Sequence, residues 1–271
     1  MIKKTTILFL FCLLSLSSWC YDKTYAVIVA VADYKYMSSS SGDLRYTLND
    51  AKLFADFLMS EKGGSVPSSN IYLLTNEKAK KENILYYTQK MFSKANSNDR
   101  VIFYYSGHGD RGVFLPYDVT TSGDNLLYYS EVKELFRYAK CSTKLLIADA
   151  CFSGSIKETK KNNPAFSKVN TSTSSTNHDN INIAVMISCS ENETSLETPT
   201  LKQGVFTYYL IKGLKGNADS NYNGNITIKE LFYYVYKNTT QFASNVGQSQ
   251  TPVLFGDFNV NFIVHDKTLT R

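Results

Sequence analysis

The sequence is poor in the residue types that cross-link small proteins or bind zinc. Its 271 residues include five cysteines and three histidines, and no CxxC pair or Cys/His spacing indicates a zinc site. Cys12 and Cys20 lie within or beside an N-terminal apolar segment, which leaves the odd set Cys141, Cys151 and Cys189. Because 43% of the residues are hydrophobic, a large core can form without disulfides. We therefore hypothesise that one thiol is unpaired and reactive.

Clustered basic charge is also missing. The net charge is +5, but Lys and Arg are scattered, and no basic stripe is interleaved with aromatic residues. We therefore expect no nucleic-acid partner. No internal repeat is present either.

The N-terminus has the three parts of a secretory signal. MIKK is positively charged, TTILFLFCLLSLS is apolar but too short for a comfortable membrane span, and small residues follow. This pattern predicts a signal peptide over residues 1–20, and hence a secreted or periplasmic protein without stable membrane association after cleavage. An uncleaved anchor is the alternative.

Strand-like and helix-like segments alternate along the rest of the chain. Continuous apolar, β-branched runs predict buried strands at 25–34, 70–76, 99–109, 143–150 and 181–189. Apolar residues at helical spacing predict helices at 42–64, 82–95, 129–140, 204–214 and 227–238. This alternation predicts an α/β fold with a mostly parallel central sheet and helices on both faces. Reactive groups in such sheets gather at the carboxyl ends of the strands.

Two predicted strands end in small residues beside a reactive side chain. YYSGHGD contains His108, and ADACFSG contains Cys151. A thiol with a pKa of about 8.5 needs a nearby imidazole, which takes its proton and later protonates a leaving amine. Gly107 and Gly109 would leave room for a substrate backbone and free an amide to face an oxyanion. The alternative is that Cys151 and His108 are ordinary core residues.

These two blocks resemble the His and Cys blocks of the caspase-like cysteine peptidases, and of the metacaspase branch in particular. YAVIVAVADY and LRYTLNDAKLFADFL are similar to the first strand and helix of that family. ISCSENETSLE resembles its next strand and the polar loop behind the site, and GVFTYYLIKGLKG and SQTPVLFGD match its C-terminal pattern. The resemblance covers about residues 25–260 and implies a caspase-like three-layer sandwich in a peptidase domain at 21–265.

The resemblance also implies the parts of a cysteine endopeptidase. Cys151 would be the nucleophile and His108 the general acid/base, with the backbone amides of Gly109 and Cys151 forming the oxyanion hole. No cofactor would be required. A catalytically inert binding domain and a related cysteine transpeptidase are the alternatives that use the same fold.

The resemblance further implies specificity for Arg or Lys at P1, through three matched positions. Metacaspases have an aspartate two residues before the nucleophile, and this chain has Asp149 there. Their second pocket acid lies in an ND pair on the first helix, which matches Asp50, and Ser106 matches another pocket position. The alternatives are that Asp50 is a solvated helix acid and Asp149 a turn residue. The expected partners are proteins or peptides with a basic P1 residue.

The polar segment 157–180 interrupts the alternation and predicts a long surface loop. It contains Lys157, Lys160, Lys161 and Lys168, the residue type that the pocket should accept. Processing after the Cys-bearing segment is a common activation step in the caspase-like family. We therefore predict self-cleavage after Lys160 or Lys161, and an uncut flexible linker is the alternative.

One motif stands apart from the peptidase blocks. DSNYNGNITIKE (219–230) fits the EF-hand pattern, in which Asp219, Asn221, Asn223 and Glu230 supply oxygens to Ca²⁺ and Gly224 makes the turn. Only two of these ligands are charged, so a capped structural turn is the alternative. The acid cluster that binds activating calcium in calcium-dependent metacaspases is not recognisable here, and the segment after the His block is shorter.

Overall fold

The computed structural model describes residues 22–37, 43–151, 181–190 and 192–266. The predicted signal peptide at 1–20 and the predicted processing loop at 157–180 lie outside the described residues. Within the described ranges, no helix is long and apolar enough to cross a membrane.

The described chain contains short strands and five α-helices. The strands are β1 (Thr24–Ala30), β2 (Ile71–Thr75), β3 (Arg100–Ser106), β4 (Gly109–Asp110), β5 (Val113–Phe114), β6 (Leu127–Tyr128), β7 (Thr143–Asp149), β8 (Ile183–Ile187), β9 (Glu197–Thr198), β10 (Gln203–Gly204), β11 (Asn225–Thr227), β12 (Val253–Gly256) and β13 (Ile263–Asp266). The helices are α1 (Thr47–Met59), α2 (Lys81–Phe92), α3 (Tyr129–Leu135), α4 (Val205–Lys212) and α5 (Ile228–Asn245).

A six-stranded sheet in the order β12-β8-β7-β3-β1-β2 forms the centre of the fold. All neighbouring strands are parallel except β12, which runs antiparallel to β8. This confirms the predicted mostly parallel sheet. The pattern did not predict β12, which is a four-residue edge strand.

Side chains of the sheet alternate between two cores, which explains why the strand sequences are apolar throughout. Along β3, Phe103 and Tyr105 pack in one core, and Ile102 and Tyr104 pack in the other. Helices α2 and α3 cover the first face, and α1, α4 and α5 cover the second. The predicted three-layer sandwich is therefore confirmed.

The bounds of three helices differ from the prediction by five residues or more. The helix predicted at 129–140 ends at Leu135 and is followed by a 3-10 turn at Phe136–Tyr138. The first helix was predicted to span 42–64, but α1 covers only Thr47–Met59, and a separate 3-10 turn at Glu61–Gly63 follows it. The last helix was predicted to end at 238, but α5 continues to Asn245 because Thr239 and Ala243 extend its buried face.

The register of the sheet aligns the ends of β3 and β7. Ser106, the last residue of β3, is the direct partner of Asp149, the last residue of β7. The segments that follow each strand therefore leave the same edge of the sheet side by side. Gly107 N donates to the Asp149 carbonyl oxygen at 3.2 Å and extends this pairing by one step.

Candidate active site

A cavity of about 210 Å³ opens at the carboxyl ends of β3 and β7. The side chains that were predicted to carry catalysis and P1 recognition all line it: Asp50, Ser106, His108, Asp149 and Cys151. Asp50 reaches this cavity from the first turn of α1, far from the other four in sequence. The fold thus brings together positions that the sequence separates by about a hundred residues.

Gly109 lies directly against the backbone of the Cys151 segment. A Cβ added to Gly109 would stand 2.7 Å from the Cys151 carbonyl oxygen and 3.2 Å from the Ala150 Cβ. No larger residue fits without a shift of the backbone. The two segments whose amides were predicted to form the oxyanion hole are therefore in close contact.

The three described cysteines lie in different environments. Cys151 is half-buried, and its pKa is lowered to about 6, first by the neighbouring Cys189 thiol and then by a hydrogen bond from the Ser195 amide. The Cys189 thiol also lies within reach of the Ala150 carbonyl oxygen, at 3.4 Å, so its single proton is shared between the two sites. Ser195 N lies 3.4 Å from Cys151 Sγ. Burial and the charge of Asp149 oppose this lowering. Burial instead raises the pKa of Cys141 to about 11, which makes Cys151 the thiol suited to nucleophilic attack.

Two buried tyrosines hold the backbone of the His segment. His108 N donates to the Tyr34 hydroxyl at 2.6 Å, and the Tyr34 and His108 rings lie 5.2 Å apart. The Tyr105 hydroxyl lies 2.8 Å from the His108 carbonyl oxygen, to which Leu115 N donates at 3.0 Å. Both backbone groups of His108 are thus bonded, which fixes the backbone from which its imidazole reaches the cavity wall.

Asp149 is buried but well supplied with hydrogen-bond donors. Ser195 Oγ donates to Asp149 Oδ1, and Thr207 donates to Oδ2 through its hydroxyl at 2.6 Å and its amide at 3.2 Å. Burial raises the pKa of Asp149, and these hydrogen bonds oppose the rise. The alternative of a turn residue is wrong for Asp149, which is the last residue of β7 and is 6% exposed.

Asp50 is only 1% exposed and is poorly compensated. Gly204 N donates to its Oδ2 at 2.9 Å, whereas Oδ1 has no hydrogen-bond partner among the described residues. Burial, followed by the charge of Asp149, raises the pKa of Asp50 to about 9. The Gln203 amide lies close enough to oppose this rise but makes no hydrogen bond of normal geometry. The alternative of a solvated helix acid is therefore wrong for Asp50.

Gly204 separates the two carboxylates and was not predicted as a site residue. A Cβ at this position would lie 2.5 Å from Asp149 Oδ2 and 3.0 Å from Asp50 Oδ2. Any side chain here would therefore fill the space between the acids. Glu197, also in the cavity wall, accepts from the amides of Arg45 and Tyr46 at 3.0 Å and so fixes the start of α1.

Several further residues support the site without having been predicted individually: Tyr34, Cys189, Ser195, Thr207 and Gln250. The segment ISCSENETSLE did indicate a polar loop behind the site, and both Cys189 and Ser195 belong to it. Their roles depend on contacts with distant segments, which no local pattern encodes.

The EF-hand-like segment forms a closely hydrogen-bonded turn between α4 and α5. Asp219 accepts from the amides of Asn223 and Gly224, both at 3.1 Å. Glu230 caps α5 by accepting from Thr227, and it also accepts from Asn221 Nδ2 at 2.9 Å. These contacts are those of a capped structural turn, and calcium binding stays a prediction.

Comparison with known proteins places the cavity within a recognised domain. The family model of the caspase domain matches residues 23–263. Metacaspase-1 of Debaryomyces hansenii is 32% identical over 115 residues, which cover 40% of this chain and 25% of that protein, so the match spans about a quarter of the relative's length. Caspase-1 of Spodoptera frugiperda has a TM-score of 0.65 over 92% of both chains at 14% identity, a likeness of fold.

Proposed function

The chain belongs to the caspase domain family of cysteine peptidases, and from that premise we propose that it is an endopeptidase that cleaves after Arg or Lys. Cys151 is the nucleophile and His108 the general acid/base of this proposal. Its main support is a single observation: the cavity that contains Cys151 and His108 also contains two buried carboxylates, and Asp50 Oδ1 has no partner among the described residues.

The chemistry begins with the Cys151 thiolate. With a pKa of about 6, this thiol is largely ionised at neutral pH. The sulfur attacks the scissile carbonyl carbon, and the carbonyl electron pair moves to the oxygen, which the amides of Gly109 and Cys151 stabilise. His108 takes the proton of the thiol and gives it to the leaving amine as the C–N bond breaks, which leaves a thioester on Cys151. It then takes a proton from the water that attacks this thioester, and the C–S bond breaks to release the acid product and the thiolate.

The two acids set the specificity at P1. In the absence of substrate Asp50 is protonated at neutral pH, since its pKa is about 9. A cationic P1 side chain would form a buried charge pair with these acids and a neutral or acidic one would not, and the loss of such a pair typically costs about 2–5 kcal/mol. A guanidinium or ammonium group would supply the hydrogen-bond donor that Asp50 Oδ1 lacks and favour ionisation of the pair. Ser106 lines the same cavity, and its hydroxyl is a further polar group available to the substrate.

Secretion and self-processing complete the proposal. The signal sequence at 1–20 supports export, and the lysine-containing segment 157–180 supports cleavage of the chain by its own site. Both segments lie outside the described residues, so these parts rest on sequence.

The P1 proposal is tested with peptides that differ only in P1. We expect kcat/KM for Arg or Lys to exceed that for Leu or Asp by more than tenfold. Asp149→Ala and Asp50→Asn should lower kcat/KM for Arg far more than for Leu. Asp56→Asn is the matched control, since Asp56 lies on the same helix but pairs with Lys52 at the surface. Equal cleavage after Asp and Arg would contradict the pocket assignment.

A second experiment separates an enzyme from an inert domain of the same fold. A peptidyl alkylating probe with Arg at P1 should modify Cys151, and His108→Ala should lower the rate of modification. The buried Cys141 serves as the internal control and should stay unmodified. Absence of Cys151 modification in folded wild type would favour the inert domain. Addition of an amine nucleophile to the peptide assay distinguishes hydrolysis from transpeptidation.

A further inference from the structure

Gln250 is a buried polar residue that lies outside the cavity, just before β12. It is 1% exposed, and its side-chain amide forms hydrogen bonds with the segment behind the nucleophile. Nε2 donates to the Ser188 carbonyl oxygen and to Ser195 Oγ, both at 3.1 Å, and Oε1 accepts from Leu196 N at 3.1 Å. Both protons of the side-chain amide and its oxygen are thus hydrogen-bonded, as burial of an amide requires.

Ser195 joins the nucleophile to the P1 pocket. Its amide donates to Cys151 Sγ at 3.4 Å, and its hydroxyl contacts Asp149 Oδ1. Gln250 Nε2 can only donate, so the hydroxyl accepts at that contact and its single proton is left for Asp149. Gln250 therefore fixes the direction of the hydrogen bond that the Asp149 carboxylate receives.

We propose that Gln250 is a positioning residue that sets both the reactivity of Cys151 and the preference for a basic P1 residue by holding Ser195. This inference rests on the proposed peptidase function. The contact with Leu196 N fixes the backbone that directs the Ser195 amide at sulfur, and the contact with Ser195 Oγ directs the hydroxyl at Asp149. Loss of Gln250 should therefore impair two properties: the reactivity of Cys151, which depends on the Ser195 amide, and the preference for Arg, which depends on the Ser195 hydroxyl.

The chain offers a matched control in the next residue. Thr251 also anchors this segment, since its hydroxyl donates to Glu193 Oε1 at 2.9 Å and its amide to Glu193 Oε2 at 2.7 Å. These contacts involve neither Ser195 nor Asp149. Thr251→Val removes the hydroxyl contact and keeps the amide contact, so it reports on loop anchoring alone.

The test compares Gln250→Met, Ser195→Ala and Thr251→Val with wild type. Gln250→Met keeps the length of the side chain but removes its hydrogen bonds. The first measurement is the rate of iodoacetamide labelling of Cys151 against pH, and the second is kcat/KM for peptides with Arg or Leu at P1. In Gln250→Met we expect the labelling midpoint to rise by about one pH unit and the Arg preference to fall about tenfold, the scale of one lost hydrogen bond.

Ser195→Ala separates the two atoms of Ser195. This variant keeps the backbone amide, so the labelling midpoint should stay close to wild type while the Arg preference falls. Wild-type values of both measurements in folded Gln250→Met would overturn the proposal, as would an equal change of both in Thr251→Val. If Gln250→Met does not fold, Ser195→Ala decides, and an unchanged Arg preference in it would overturn the proposal.

Failure of the peptidase function gives a different result. Iodoacetamide labelling requires no cleavage, so a wild type that labels at low pH and cleaves no peptide would contradict the proposed function. A wild type that cleaves after Arg, together with a Gln250→Met variant that is unchanged, would contradict only the role of Gln250.

Discussion

At the scale of single residues, environment decides what a cysteine can do. Cys141 and Cys189 are buried, whereas Cys151 is half-buried at the cavity wall. Burial disfavours a thiolate, and only donated hydrogen bonds or positive charge can reverse its effect. Cys151 has such donors in the Cys189 thiol and the Ser195 amide, so the same residue type is inert at 141 and activated at 151.

Removal of the Cys189 thiol tests this account. Because that thiol is the strongest influence lowering the Cys151 pKa, we expect Cys189→Ala to raise the pKa from about 6 toward the ordinary value of 9.0. The thiolate absorbance at 240 nm, followed against pH, measures the shift. Cys189→Ser keeps a donor and should shift the pKa less, and Cys141→Ala should leave it unchanged. A pKa near 6 in Cys189→Ala would contradict the assignment.

The proposed P1 pocket uses the Asp50 carboxylate, but ionisation of this buried group opposes folding. Its pKa rises from 3.8 to about 9 on folding, so the folded state holds the proton more tightly than the unfolded chain. The free energy of unfolding should therefore contain a contribution that is complete below about pH 4 and is lost as pH rises toward 9.

Asp50→Asn removes this loss, because an amide does not ionise and its oxygen still accepts from Gly204 N. We expect the variant to be more stable than wild type by about 1–3 kcal/mol at pH 8, with a smaller difference at pH 5. Urea denaturation at both pH values measures this. A variant destabilised equally at pH 5 and pH 8 would show that burial of the charge is not the cause.

At the scale of elements, the ends of strands and helices carry the site. The segments directly after β3 and β7 supply His108 and Cys151, and the first turn of α1 supplies Asp50. Glu197, at the start of β9, accepts from two amides before α1 and so ties this helix to the loop behind the nucleophile. The position of Asp50 thus depends on a contact between elements that are distant in sequence.

The turn before α5 gives a prediction at the same scale. Glu230 and Thr227 form a reciprocal capping box, so Glu230→Ala should lower the free energy of unfolding by about 1 kcal/mol in EDTA. Glu230→Gln keeps the acceptor oxygen and should cost less. Thermal unfolding with and without Ca²⁺ tests the calcium interpretation. A Ca²⁺-dependent rise in Tm of wild type, absent from Glu230→Gln, would support it, and equal Tm values would exclude it.

At the scale of the whole molecule, the central sheet would hold a processed chain together. The segment 157–180 lies between β7 and β8 in the sequence, and these two strands pair in parallel over five positions. We expect purified wild type to be cut after Lys160 or Lys161 and to elute as one species in size-exclusion chromatography. Intact mass measured under denaturing conditions identifies the fragments.

Two variants control this experiment. Cys151→Ala should remain a single chain when purified alone, and a double substitution of Lys160 and Lys161 by Gln should block cleavage at these bonds while cleavage of basic peptides continues. Wild type that stays intact while it cleaves such peptides would contradict self-processing.

The sequence by itself determined the layers of the fold and the positions of the reactive side chains. Apolar, β-branched runs such as that within 99–109 indicate strands buried on both faces, and their alternation with helical patterns predicts a parallel sheet between helices. The small residues that follow these runs, in Ser-Gly-His and Asp-Ala-Cys, also place His108 and Cys151 just beyond the carboxyl ends of two strands. These features are local, because the spacing of apolar residues and the presence of a small residue at a turn can be recognised within a short segment.

Only the tertiary structure decided the chemistry of these side chains. The low pKa of Cys151 depends on Cys189 and Ser195, and the high pKa of Asp50 depends on burial beside Asp149. Gln250 reaches Ser195 from 55 residues away. Hydrogen bonds and desolvation depend on which groups are close in space. The residues concerned here are far apart in sequence and become neighbours only when the sheet has formed.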